Sequence, residues 1–151
     1  MQNNEYRKVE GTLYNYNSIK IRIENKKIDL DELENDYRGV TAQSYEEHTQ
    51  GTNAFHSDVE NEIIKRDEKI LHLRNEIKLM QNQILKIDNA MKGLKDYERS
   101  LIEMKYFKNM NHEKIADELG FEVESIAKIK ARIINKLIPL LYWRNMYNTS
   151  I

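Results

Sequence analysis

Between Glu124 and Lys136 the sequence ESIAKIKARIINK carries four cations, Lys128, Lys130, Arg132 and Lys136, and no acid after Glu124. Ammonium and guanidinium groups at such spacing donate to phosphate oxygens. Near the start of a helix they also reach base edges. Glu124 can accept from a cytosine amino group, and Ser125 can donate to a phosphate. Upstream, His112 follows Asn111 at a helix start, where main-chain N–H groups can meet a phosphate. Each residue also has a plainer reading. The cations can form a solvated face, Glu124 an acidic first turn, and Ser125 and His112 ordinary exposed positions.

Bond-breaking chemistry finds no support. His48, His56, His72 and His112 are scattered, and no HExxH, glycine-rich phosphate loop or GxSxG elbow occurs. Glu46, Glu47 and His48 are adjacent in sequence but lack a scaffold that would make them converge on a metal. With no Cys there is no disulfide framework and no thiolate zinc site. The expectation is a non-enzyme without cofactor or metal.

The cations need an element to hold them. Ile115, Ala116 and Leu119 fall at helical spacing on a short helix, with Asn111 as its N-cap. Gly120 follows, where a helix stop favours φ > 0, and Phe121 is expected to plug the space under the turn. Val123, Ile126, Ile129, Ile133 and Leu137 then recur every three or four residues along a second, longer helix. A short helix, a glycine turn and a longer helix with a basic outer face make a helix-turn-helix. On that helix Lys128 projects from the exposed side near the start, suited to base edges. Arg132 and Lys136 lie further along, suited to phosphates, and Lys130 points elsewhere.

The stretch from Glu98 to Leu137 resembles region four of the sigma-70 family, the part that reads promoter DNA. The resemblance is carried by Glu98-Arg99, Lys105-Tyr106-Phe107, Ile115-Ala116, Leu119-Gly120 and Lys136-Leu137. It implies double-stranded DNA as partner, and it gives Lys105 the role of a basic support for the DNA backbone. Glu122 stands where that family usually has Ser or Thr, and Val123-Glu124 stand where a basic residue is common.

The rest of the chain is built for long helices. It has 151 residues, a net charge of −1, 32% charged residues and a single proline, Pro139. Near neutrality hides a gradient: residues 1–57 hold seven Lys/Arg against ten Asp/Glu, whereas Ser125 to Arg144 holds only basic charges. Val9, Tyr16, Ile23, Leu30 and Tyr37 step by seven, with Ile19 and Leu33 between them, Leu13 in support and Lys26 interrupting. That predicts one helix over about 5–37, although Ile19 to Leu30 also fits a β-hairpin. Arg38 to Ser57, with Gly39 and Gly51, is expected to be a linker. A helix from Asp58 to about Lys92 carries Ile63, Ile70, Ile77, Ile84 and Met91 on one seam position. Val59, Leu73, Met80, Ile87 and Leu94 take the other, with Arg66 the exception. Ile64, Leu71 and Leu85 widen its apolar face beyond one partner, which implies a homo-oligomer. Asp96 is the expected N-cap of a helix to Phe107. The apolar tail after Pro139 is expected to fold back on a core or cover a dimer seam.

The expected fold is therefore all-α: a long antiparallel, coiled-coil-like helical hairpin over 1–95, followed by a C-terminal helix-turn-helix domain over 96–151. No apolar run approaches the ~20 residues that span a bilayer, and the N-terminus lacks a signal sequence. The cytoplasm is the simplest compartment. The layout resembles small phage or prophage regulators of Gram-positive hosts, of the RinA and ArpU late-activator type, which implies an activator working with host RNA polymerase. Two other readings remain open. One is a DNA-packaging adaptor like a phage small terminase subunit. The other is a coiled-coil interaction protein whose helix-turn-helix no longer binds DNA.

Overall fold

A computed structural model describes the backbone of residues 2–46 and 53–142, and the side chains of 4–36 and 58–142. Every regular element among these residues is helical. In order they are α1 (Gln2–Tyr14), α2 (Tyr16–Glu46), α3 (Asn53–Lys92), α4 (Asp96–Ile102) with a π-helical turn at Glu103–Phe107, α5 (His112–Leu119) and α6 (Val123–Leu141).

The expected all-α class holds, and the β-hairpin alternative for 19–30 does not: that stretch lies within α2. The N-terminal helix, expected to be continuous, is interrupted at Asn15. Gly11 and Asn15 are both weak helix formers. Tyr16 then stacks on Phe107, with centroids 4.3 Å apart and planes at 13°. Its hydroxyl donates to Asp88 at 2.7 Å, and the Asn17 amide donates to the Phe107 carbonyl at 3.0 Å. The expected linker is shorter than Arg38–Ser57, because α2 runs to Glu46 and α3 starts at Asn53. The rest of that linker lies outside the described residues.

The chain forms two compact units, Met1–Ile19 with Gln83–Ile151, and Lys20–Asn82. The first of these brings α1 together with the end of α3 and the C-terminal helices. The second unit is an antiparallel pair: Lys26 meets Glu76 at 2.8 Å, and Glu34 pairs with Arg74. Ile23, Ile70 and Ile77 are buried along its seam, with Leu30, Leu33, Ile63, Leu73 and Met80 half-buried. Lys26, which interrupts the apolar step, is accommodated by the opposed carboxylate of Glu76.

The core of the first unit joins α1, the end of α3, and α4 to α6. Val9, Leu13, Ile87, Leu101, Ile102 and Ile115 are sealed there with the apolar side of α6. Arg99 ties α4 to the end of α3, donating to the carbonyls of Met91 at 3.2 Å and Leu94 at 3.1 Å. The Met91 carbonyl, in the last turn of α3, also accepts from the Leu94 N–H at 3.1 Å, and Leu94 lies in the connection to α4. The N-cap position of α4 is Lys95, one residue before the expected Asp96. Glu98 sets this entry by accepting from the Lys95 N–H at 3.0 Å. The segment after Pro139 continues α6 to Leu141, and the Tyr142 hydroxyl lies 2.7 Å from that of Thr12. The proline falls in the last turn, where its missing N–H leaves open only the carbonyl of the exposed Asn135.

Gly120 closes α5 at φ 72° and ψ 29°, and the Phe121 N–H reaches back to the Ala116 carbonyl at 3.0 Å, a Schellman closure. Nothing crowds a Cβ at Gly120, so a substitution there acts through the backbone angle alone. Gly120→Val is expected to lower stability by more than about 1 kcal/mol, while Gly120→Asn, which tolerates this region, stays closer to the parent. Thermal unfolding of the two variants checks this, and a valine variant as stable as the parent would show that the turn lies elsewhere.

Candidate nucleic-acid interface

The site is built on α5, the Gly120 turn and α6. Asn111 caps α5 as expected, its Oδ1 accepting from the Lys114 N–H at 2.9 Å. Glu122 occupies the N-cap position of α6 without a side-chain cap bond. The rotation of α6 is fixed by its apolar side: Ile126, Ile133, Ile134 and Leu137 are each fully buried. The opposite side is exposed at Glu124, Ala127, Lys128, Arg132 and Asn135. Glu124, Lys128 and Arg132 are four residues apart, hence one above another on a single stripe.

Two apolar residues depart from expectation. Phe121 does not fill the space under the turn but is 37% exposed, with its ring 5.8 Å from that of Tyr97 in an edge-on contact. Val123 is 41% exposed, although Ile126 in the same first turn of α6 is fully buried.

The eight candidates separate into groups. Glu124, Lys128 and Arg132 share the exposed stripe, with Ser125 half-buried at its side. Arg132 donates to the Tyr97 hydroxyl at 2.7 Å. Lys136 is exposed, but its ammonium lies 3.1 Å from the Glu98 carboxylate. Lys130 faces inward and pairs with Glu10 of α1 at 3.2 Å. The same Glu10 oxygen accepts from the Tyr106 hydroxyl at 2.7 Å. Lys105 on the π turn and His112 at the start of α5 are half-buried. Burial, followed by the charges of Lys105 and Lys130, holds the His112 pKa below its ordinary value.

The π turn serves this arrangement. The Lys108 N–H bonds to the Glu103 carbonyl, five residues back, at 3.0 Å. The widened turn leaves Tyr106 buried, with its hydroxyl on Glu10. Burial and the neighbouring Glu10 carboxylate both push the Tyr106 pKa up, so it acts as a neutral donor.

Sequence reasoning did not single out Glu10, Tyr97 or Asn135. Asn135 could have been found by extending the stripe three residues beyond Arg132. Glu10 and Tyr97 reach α6 across long stretches of chain, and no local pattern announces them.

Residues 90–137 match the family described as sigma-70, region 4. Neither a search of curated proteins nor one of solved structures finds a match. The matched segment is a sigma-70 region 4-like helix-turn-helix, a DNA-binding regulatory module, and it takes in α4, α5 and most of α6. Helix α1 lies outside the match yet packs into the same unit. Among the described residues no group of His, Cys, Asp or Glu is arranged to hold a metal, and no helix is long and apolar enough to cross a membrane.

On the acid side, Glu98 and His112 make the stability of the unit depend on pH. At Glu98, burial works to raise the pKa, but the Lys95 N–H and the Lys136 ammonium outweigh it and hold the carboxyl below its ordinary 4.5. A lowered carboxyl pKa contributes stability above the unfolded value, lost as pH falls through the folded one. For His112 the same sign applies from its ordinary 6.5 downward, since protons bind the unfolded chain more readily. Stability is thus expected to decline in two steps on acidification, one beginning near pH 6.5 and one below about 4.5. His112→Gln should remove the first and Glu98→Gln diminish the second, to which Glu76, also held below its ordinary value by Lys26, contributes, as read by denaturant midpoints across pH.

Proposed function

We propose that the protein is a sequence-specific, DNA-binding transcription regulator that reads duplex DNA with the exposed stripe of α6. The observation that carries this is the placement of Glu124, Lys128 and Arg132 in line on the solvent side of the recognition helix, within a region 4-like helix-turn-helix. Lys128 near the helix start addresses a base edge, and Arg132 one turn on addresses a phosphate. Lys105 forms a second basic flank with the uncharged His112 near it, while Lys130 and Lys136 are restrained by carboxylates that offset their charge.

The regulator is of the phage or prophage late-activator kind, acting in the cytoplasm with host RNA polymerase, without catalytic activity or cofactor. Homo-oligomerisation through the helical hairpin belongs to the same proposal. Ile64, Leu71 and Leu85 are 54%, 60% and 55% exposed, apolar surface that a second copy would cover. Light scattering at micromolar concentration is expected to show a dimer or larger species, and Leu71→Glu to shift it toward monomer; a stable parent monomer would remove this part.

Binding to matched and scrambled duplexes across a salt series tests the DNA face. Arg132→Ala is expected to weaken binding to all sequences alike and to flatten the salt dependence by roughly one unit of slope. Lys128→Ala should also relax preference at one base position, by about 1–3 kcal/mol. If the double variant binds as the parent does, the stripe is a solvated surface and the proposal fails.

A further inference from the structure

Three pieces of the DNA-binding unit meet at one exposed cation. Arg132 on α6 donates from its Nη2 to the hydroxyl of Tyr97 at 2.7 Å. Tyr97 is the second residue of α4 and is half-buried. Its ring meets that of Phe121, the first residue beyond the Gly120 turn, at an interplanar angle of 67°. The tyrosine is therefore fixed from two sides, by its own helix and by the turn, and it passes that order on to the arginine.

The restraint differs from those on the other cations of α6. Lys130 lies against the Glu10 carboxylate and Lys136 against that of Glu98. Both contacts cancel charge as well as limit motion. The Tyr97 hydroxyl is neutral, so its bond orients Arg132 without forming an ion pair, and Glu98 acts on the guanidinium only as a nearby charge. Arginine has five N–H donors, and one bond to a phenol leaves the others for a phosphate. A long flexible side chain loses rotamer freedom when it binds, and one that is already ordered loses less.

We propose that Tyr97 is a positioning residue for DNA binding: its hydroxyl holds the Arg132 guanidinium in place beside the exposed stripe of α6, so that a backbone phosphate meets a pre-ordered cation. The inference rests on the DNA-binding reading of that stripe and adds a residue which carries no charge.

The test is a double-mutant cycle on the full chain with Tyr97→Phe, which keeps the ring against Phe121 and removes only the hydroxyl. The parent, Tyr97→Phe, Arg132→Ala and the double variant are titrated with duplex DNA across a salt series. Tyr97→Phe is expected to bind about two- to tenfold more weakly, equally for matched and scrambled sequences, with the parent's salt slope because no charge is lost. In the Arg132→Ala background it should have no further effect. Without DNA, nuclear spin relaxation of the Arg132 side chain should show faster motion in Tyr97→Phe than in the parent. Binding by Tyr97→Phe that equals or exceeds the parent's overturns the proposal. So does a loss that persists undiminished in the Arg132→Ala background, since the hydroxyl would then act on its own. A parent that shows no salt-sensitive DNA binding refutes the underlying reading, and the positioning role with it.

Discussion

The geometry of the DNA-binding unit depends on the burial of one side of α6. Ile126, Ile133, Ile134 and Leu137 are each fully removed from solvent, and each contributes about 1.5–3 kcal/mol of transfer free energy. Together they outweigh any single polar contact on the helix, so they set its rotation. Rotation decides which side chains face solvent. One residue along an α-helix is about 100°, and a slip of that size would turn Lys128 and Arg132 away from the exposed side. Chemistry on the outer stripe is therefore specified by aliphatic residues on the inner one.

The polar contacts of the unit then act at the edges of that apolar frame. Lys130 lies four residues after Ile126 and three before Ile133, which places it on the inner side. A cation there needs a counter-charge. Glu10 supplies it from α1, and the same carboxylate takes the Tyr106 hydroxyl. One acid thus links α1, the π turn and α6. Glu98 does the corresponding work at the other flank, joining the entry of α4 to Lys136. The Glu10 contacts, together with the buried Val9 and Leu13, tie α1, outside the matched family segment, into the same compact unit.

What could be read in the sequence was mostly local or periodic. Gly120 signals its own turn because only a few residue types favour φ > 0. The seams of α2 and α3 follow from seven-residue steps, and Asn111 caps the helix it precedes. What could not be read depends on contacts distant in sequence or on where an element ends. Asn15 breaks the first helix, and Tyr16 is held by Phe107 and Asp88, both far along the chain. Val123 and Phe121 look like core residues by type and spacing, yet they are 41% and 37% exposed, and periodicity does not separate them from the buried Ile126. Lys130 was the instructive case: its register already excluded the solvent face, but its partner could come only from the fold.

The most direct measurement of the central claim is the mapping of backbone amide chemical shifts on titration with a DNA duplex recovered by selection. The largest changes are expected along one stripe, Glu124, Lys128, Arg132 and Asn135, with smaller ones at Lys105 and His112. Changes confined to the paired helices between Lys20 and Asn82, or spread evenly over the chain, would contradict the claim.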